Sequence, residues 1–201
     1  MAISAFLAKF ADSMRLRFAI IWLLPVLLLQ PEGAAAQAQY FGGYSSIKGV
    51  GVTYAAPSGD GRSFLSWTAA FDFSGLINRT ERIQTPGESI RFSYDYLIHS
   101  WTVPTTGTSV TLFAGPGAML GHVRDRDKKL GLAAAVAGDA GLLFDFRKTC
   151  AISLKFCADL GIHYGKRSQY EDINRYDPIA EFYKNGIYRL LFPEVRIMRR
   201  F

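Results

Sequence analysis

Apolar and polar residues alternate with period two along most of this chain, over stretches longer than most folds accommodate. Such alternation places successive side chains on opposite faces of an extended strand. From Ser63 to Gly75 one face carries Leu65, Trp67, Ala69, Phe71 and Phe73, and the other Ser66, Thr68, Asp72 and Ser74. From Ser89 to Ser100 the apolar face is Ile90, Phe92, Tyr94, Tyr96 and Ile98. The opposite face is Ser89, Arg91, Ser93, Asp95 and His99, with Leu97 out of step. From Cys150 to Tyr164 the apolar face runs Cys150, Ile152, Leu154, Phe156, Ala158, Leu160, Ile162 and Tyr164. Lys155, Cys157, Asp159, Gly161 and His163 lie opposite.

Four further segments follow the rule more loosely. They are Tyr40 to Tyr54, Val110 to Gly121, Leu130 to Phe146 with Asp139 and Asp145 on its polar face, and the last segment to Phe201. In the last, Leu191, Val195, Ile197 and Phe201 share one side, and Glu194, Arg196 and Arg200 the other. A strand in an ordinary globular protein has about 5–6 residues. These segments run to about 12–16, the length a tilted strand needs to cross a bilayer and protrude. The expected fold is all-β, an antiparallel transmembrane β-barrel, with large aromatic-rich faces toward lipid and polar or small faces toward the lumen. A soluble exported barrel binding a small apolar ligand is the alternative, with the sorting reversed.

Composition bears on where such a chain works. Lys9, Arg15 and Arg17 precede an apolar run from Phe18 to Leu29, and Pro31, Glu32 and Gly33 end it. Ala36-Gln37-Ala38 fits a small-residue cleavage site, with Ala36 and Ala38 as the recognised residues. The run is too short to span a bilayer, so residues 1–38 are expected to be a cleaved secretory signal. Residues 39–201 would then be the barrel domain. The full chain carries a net charge of +6. Removing the leader's three cations, with Asp12 and Glu32, leaves +5. An exported chain rarely meets nucleic acid, and none is expected as a partner.

Seven alternating segments are plain, and a single-chain barrel has an even number of strands. Eight are expected. Asn185-Gly186 signals a two-residue hairpin that would pair Arg175–Lys184 with Ile187–Phe201. Alternatively, 165–186 is one long loop, and the eighth crossing hides near the amino end. Turns are expected at Pro57 to Gly61, Pro86-Gly87, Pro104 to Gly107, Asp125 to Lys129 and Arg147 to Thr149.

The leader, the amphipathic strands and the aromatic terminus together resemble the small outer-membrane barrels of the OmpA/OmpX kind, over residues 39–201. The resemblance implies location in the outer membrane, contact with outer-membrane lipid, and delivery by a barrel-assembly machinery. That machinery would read Leu191, Val195, Ile197 and Phe201; Arg199 departs from the pattern.

An eight-stranded barrel is just wide enough for its interior to be filled by side chains. The inward set is Asp72, Arg91, Asp95, Asp139, Asp145, Lys155, Asp159, Glu194, Arg196 and Arg200, with His99 and His163. Buried charges must pair, so a salt-bridged, non-conducting lumen is expected, against a narrow pore. A lipid-modifying enzyme would need Ser, His and an acid near a rim, for which His99, Ser100 and Glu88 or Asp95 are the weak candidates. No catalytic centre is expected, and no cofactor or metal. The expected role is structural, or surface recognition and adhesion through the loops, with the Tyr- and charge-rich stretch Lys166 to Lys184 as one candidate surface. Cys150 and Cys157 are seven residues apart, about 23 Å in an extended strand, beyond disulfide reach.

Overall fold

The computed structural model describes residues 39–59, 61–73, 87–125, 130–146, 149–168 and 176–201. The expected leader, residues 1–38 with Ala36 and Ala38, lies outside the described residues. So do most of the connections expected at Pro86, Asp125 to Lys129 and Arg147-Lys148.

The described residues form nine strands: β1 Tyr40–Ser46, β2 Gly49–Pro57, β3 Ser63–Asp72, β4 Gly87–Val103, β5 Thr108–Arg124, β6 Leu130–Phe146, β7 Cys150–Ser168, β8 Tyr176–Phe182 and β9 Glu194–Arg200. A short helix, α1 (Lys184–Tyr188), and a 3-10 turn (Arg189–Leu191) separate the last two. No helix among the described residues is long and apolar enough to cross a membrane. Consecutive strands pair antiparallel from β1 to β8. β9 pairs with both β7 and β1, which closes the barrel.

β8 and β9 run in the same direction along β7. β8 pairs with Ile162 to Ser168, and β9 with Cys150 to Lys155. They are two halves of one eighth strand, interrupted by residues 183–193. The fold is therefore a closed antiparallel barrel of eight strands. Its stagger follows from the pairing. From Ser45, the path through Val50, Phe71, Glu88, His122 and Leu132 arrives at Tyr164. The path through Val195 arrives at Leu154, ten residues away (164 − 154). With ordinary strand rise and spacing, that stagger over eight strands tilts them by about 40°.

Two expectations about strand count are corrected. Tyr40 to Tyr54 is not one strand but two, β1 and β2, joined at Ile47-Lys48. The Ser46 hydroxyl accepts from the Lys48 N–H at 3.2 Å and donates to the Gly49 carbonyl at 3.4 Å, folding the chain back in a tight turn. The eighth crossing thus lies at the amino end. Asn185-Gly186 does not make a hairpin. A two-residue hairpin of that type needs positive φ, and the glycines with positive φ are Gly61 and Gly107. Gly186 serves close packing instead: a Cβ there would stand 2.3 Å from the Asp159 carbonyl oxygen.

The lapse at Leu97 is a β-bulge. Register shifts between Leu97 and His99, so Ile98 is the extra residue. Leu97 lies opposite the buried Phe113, and His99 lies opposite the exposed Leu112. His99 therefore points outward, contrary to its expected inward place.

The faces are sorted with the polar side in. Val52, Ile90, Leu120, Leu132, Val136, Leu160, Ile162 and Ile197 are exposed on the outside. Thr53, Ser66, Thr68, Ser89, Arg91, Ser93, Asp95, Asp139, Ser153, Lys155 and Asp159 are buried inside. Among the described residues an apolar cluster within, Met119, Val123, Ala133, Ala135 and Tyr183, sits at the end where the interruption enters.

Candidate functional site

Charged side chains from four strands and the interruption meet in the lumen. β4 presents Arg91, Ser93 and Asp95 on alternate positions, β6 presents Asp139, β7 presents Lys155 and Asp159, and β9 presents Glu194 and Arg196. Because the period is two, each strand delivers its polar residues to the same side without any special turn.

They assemble into two groups. In the first, Arg91 donates to Asp159 at 2.5 Å and to Glu194 at 3.0 Å. Arg196 donates to the other Glu194 oxygen at 3.1 Å. Arg189, from the 3-10 turn, lies 3.6 Å from both Asp159 and Glu194. In the second, Lys155 lies 2.8 Å from Asp139 and donates to Asp95 at 3.1 Å and to the Ser93 hydroxyl at 2.9 Å. The Lys155 ammonium also stands 5.9 Å from the Phe113 ring centroid. Four cations face four anions, and the side chains of Lys155, Asp95, Asp139 and Asp159 are fully enclosed. Desolvating each ion costs several kcal/mol and is offset only by such pairing. Among the described residues these enclosed charges pair with one another.

The remaining inward residues separate from this centre. Asp72 is buried at the end of β3. Asp145 and Arg200 form a half-buried pair at 3.4 Å near the termini, where Asp145 also accepts from the Tyr40 hydroxyl at 2.9 Å. His163 is buried, 3.1 Å from the Val123 carbonyl oxygen and 4.0 Å from Asp125. His99 instead stacks outside on Trp101, and Ser100 bonds inward to Thr111, so these two diverge. Cys150 is exposed, Cys157 is buried, and both are free. Among the described residues no cluster of three or more His, Cys, Asp or Glu could hold a metal ion.

Of the four carboxy-terminal residues, Val195 and Ile197 are exposed on β9. Leu191 corrects the expectation of a common strand face: it lies in the 3-10 turn, and β9 begins only after Pro193, at Glu194. Phe201 follows β9, exchanges backbone hydrogen bonds with Gln39, and carries the Arg199 guanidinium 5.4 Å from its ring centroid.

Sequence reading missed three residues, all in the interruption. Tyr183 falls in the stretch Lys166 to Lys184, expected as a surface, but is fully buried. Asn185 accepts from the Lys48 ammonium at 2.7 Å, its backbone N–H donates to Asp125 at 3.2 Å, and its side-chain amide donates to the Arg124 carbonyl at 3.2 Å. Arg189 completes the first charge group. The signal for it was an imbalance: the inward set held six acids and only four permanent cations. No protein-family model, no curated protein and no solved structure significantly matches this chain.

Proposed function

We propose that the chain is an exported integral outer-membrane protein. Its barrel spans the bilayer, its lumen is closed by the paired charges, and its role is structural or one of surface recognition or adhesion through the loops. The carrying observation is the sorting of faces: apolar side chains stand outside on every long strand, and eight charges pair inside. An aqueous barrel has no reason to expose Leu120, Leu132, Val136 and Leu160 while enclosing Lys155 and Asp159. A binder of small apolar ligands would need an apolar cavity where this barrel keeps ion pairs. In this reading residues 1–38 direct export, outer-membrane lipid covers the apolar band, and an assembly machinery reads the carboxy-terminal residues.

Cell fractionation with heat-modifiable gel mobility tests the location. The protein is expected in the outer-membrane fraction, migrating differently before and after boiling; recovery in the soluble fraction would overturn the proposal. Planar-bilayer recording tests the closed lumen, where large stable single-channel steps would contradict it.

A further inference from the structure

The interruption of the eighth strand has a position that the membrane reading leaves unexplained. β4 to β7 have 17 to 19 residues, whereas β1 has 7 and β2 has 9. A tilted crossing needs about 9–11 residues, so β1 falls short of one and β2 only just reaches it. The eighth strand is missing at the same place. Its pairing with β7 stops at Lys155↔Glu194 and resumes at Ile162↔Phe182, leaving Phe156 to Gly161 without a strand partner on that side. β1 follows β9 only as far as Ser45↔Val195.

Residues 183–193 fill this notch. The Tyr183 N–H donates to the Gly161 carbonyl at 2.9 Å, which continues the β7 pairing by one bond. Gly186 then packs against Asp159 so closely that no side chain fits between. From the other side, the tip of the β1–β2 turn reaches across. The Lys48 ammonium bonds Asn185 and stands 5.2 Å from the Phe192 ring centroid. Tyr183, Asn185 and Arg189 are buried: Arg189 reaches the lumen charges, Tyr183 lies against His163, and Asn185 meets Lys48, Arg124 and Asp125. Ile187, Leu190 and Leu191 are 44%, 49% and 69% exposed, comparable with Leu160 at 52% on the outer face of β7. The spacing 187, 190, 191 is that of one helix face. Within the segment, Gly186 N–H bonds the Tyr183 carbonyl and Phe192 N–H bonds the Arg189 carbonyl. Backbone in contact with lipid must find its hydrogen bonds internally, and a helical turn does so where an open loop would not.

We infer that residues 184–191 form a lipid-contacting piece of the barrel wall, in which Ile187, Leu190 and Leu191 face acyl chains of the bilayer while Tyr183, Asn185 and Arg189 seal the lumen behind them. This rests on the membrane reading above, since the occupant follows from continuity with the apolar band of β7 and β9.

Spin labels test it. In a Cys150→Ser, Cys157→Ser background, Leu190→Cys, Leu191→Cys and, as a control on β7, Leu160→Cys are labelled with a nitroxide. Each protein is then reconstituted in phosphatidylcholine vesicles. All three substitutions replace exposed side chains, and heat-modifiable mobility verifies folding. Collision with oxygen, which partitions into lipid, is compared with collision with a water-soluble nickel chelate. The expected result is an oxygen preference at 190 and 191 that matches the control, severalfold above that of a label in water. Chelate preference at 190 and 191 with oxygen preference at 160 would overturn the inference and leave the membrane reading intact. Chelate preference at all three would overturn both.

Discussion

Lys155 is the residue on which the second lumen group depends. It alone stands between Asp95 and Asp139 in the distances of that group, and all three are enclosed. Lys155→Met would leave two buried carboxylates without the cation that contacts them both. Breaking a buried pair in this way costs about 3–5 kcal/mol, a loss readable from urea unfolding in lipid vesicles. Adding Asp95→Asn and Asp139→Asn to the same variant is expected to recover most of it, because the charges go together. Phe201 makes the opposite prediction. It is exposed, and its side chain meets only the Arg199 guanidinium among the ring contacts described. Phe201→Ala is therefore expected to change unfolding stability by less than about 0.5 kcal/mol. If the terminal aromatic is an assembly signal, the same variant lowers the yield of membrane-inserted protein in cells. Equal loss in refolding and in cells would argue for a merely structural role. At this scale most of the interior was legible in the sequence, because period-two sorting assigns a face to each residue once its strand is known. His99 was misassigned because a single bulge inverts every face beyond it, and a bulge leaves only one lapse, Leu97, in the pattern.

Among the elements, strands were far more legible than the interruption. A strand announces itself by repetition over ten or more residues. Residues 183–193 are too few to show a period, and Asn185-Gly186 carries a local turn preference that the surrounding contacts override. The β1–β2 turn escaped notice for a related reason: Ile47-Lys48 are not turn-forming residues, and the outward parity changes there, from Phe41 to Val50 and Val52, within strands too short to show it. The docking of α1 can be probed at Gly186. Gly186→Val would drive a side chain into the Asp159 carbonyl, an overpacking cost of about 1–3 kcal/mol. The segment is expected to lift from β7 and make the buried Arg189 accessible. Limited trypsin digestion, read by fragment mass, should show cleavage after Arg189 in the variant and none there in the parent protein. Resistance of both would mean that the segment is held by contacts other than this one.

For the whole molecule, the number of strands, the tilt and the width of the lumen are linked. Eight strands staggered by ten residues enclose a space of about the width that side chains fill, and among the described residues paired ions lie within it. Lys155→Met or Arg189→Ala would disturb that filling, yet steady conductance is expected only where water can form a continuous path. In the proposed membrane reading, the apolar outer face, residues 1–38 and the terminal aromatic are separate features of the sequence that agree on one environment. The most direct test of that agreement uses Trp67, whose side chain lies on the outward face of β3 against Phe92, with ring centroids 4.7 Å apart. With Trp22→Phe and Trp101→Phe, Trp67 is the only tryptophan in the chain. The protein is refolded with vesicles whose acyl chains carry bromine and floated through a density gradient. The account predicts that it floats with the vesicles and that bromine strongly quenches Trp67 fluorescence. A folded barrel that stays in the aqueous layer, with Trp67 emission indifferent to brominated lipid, would contradict it.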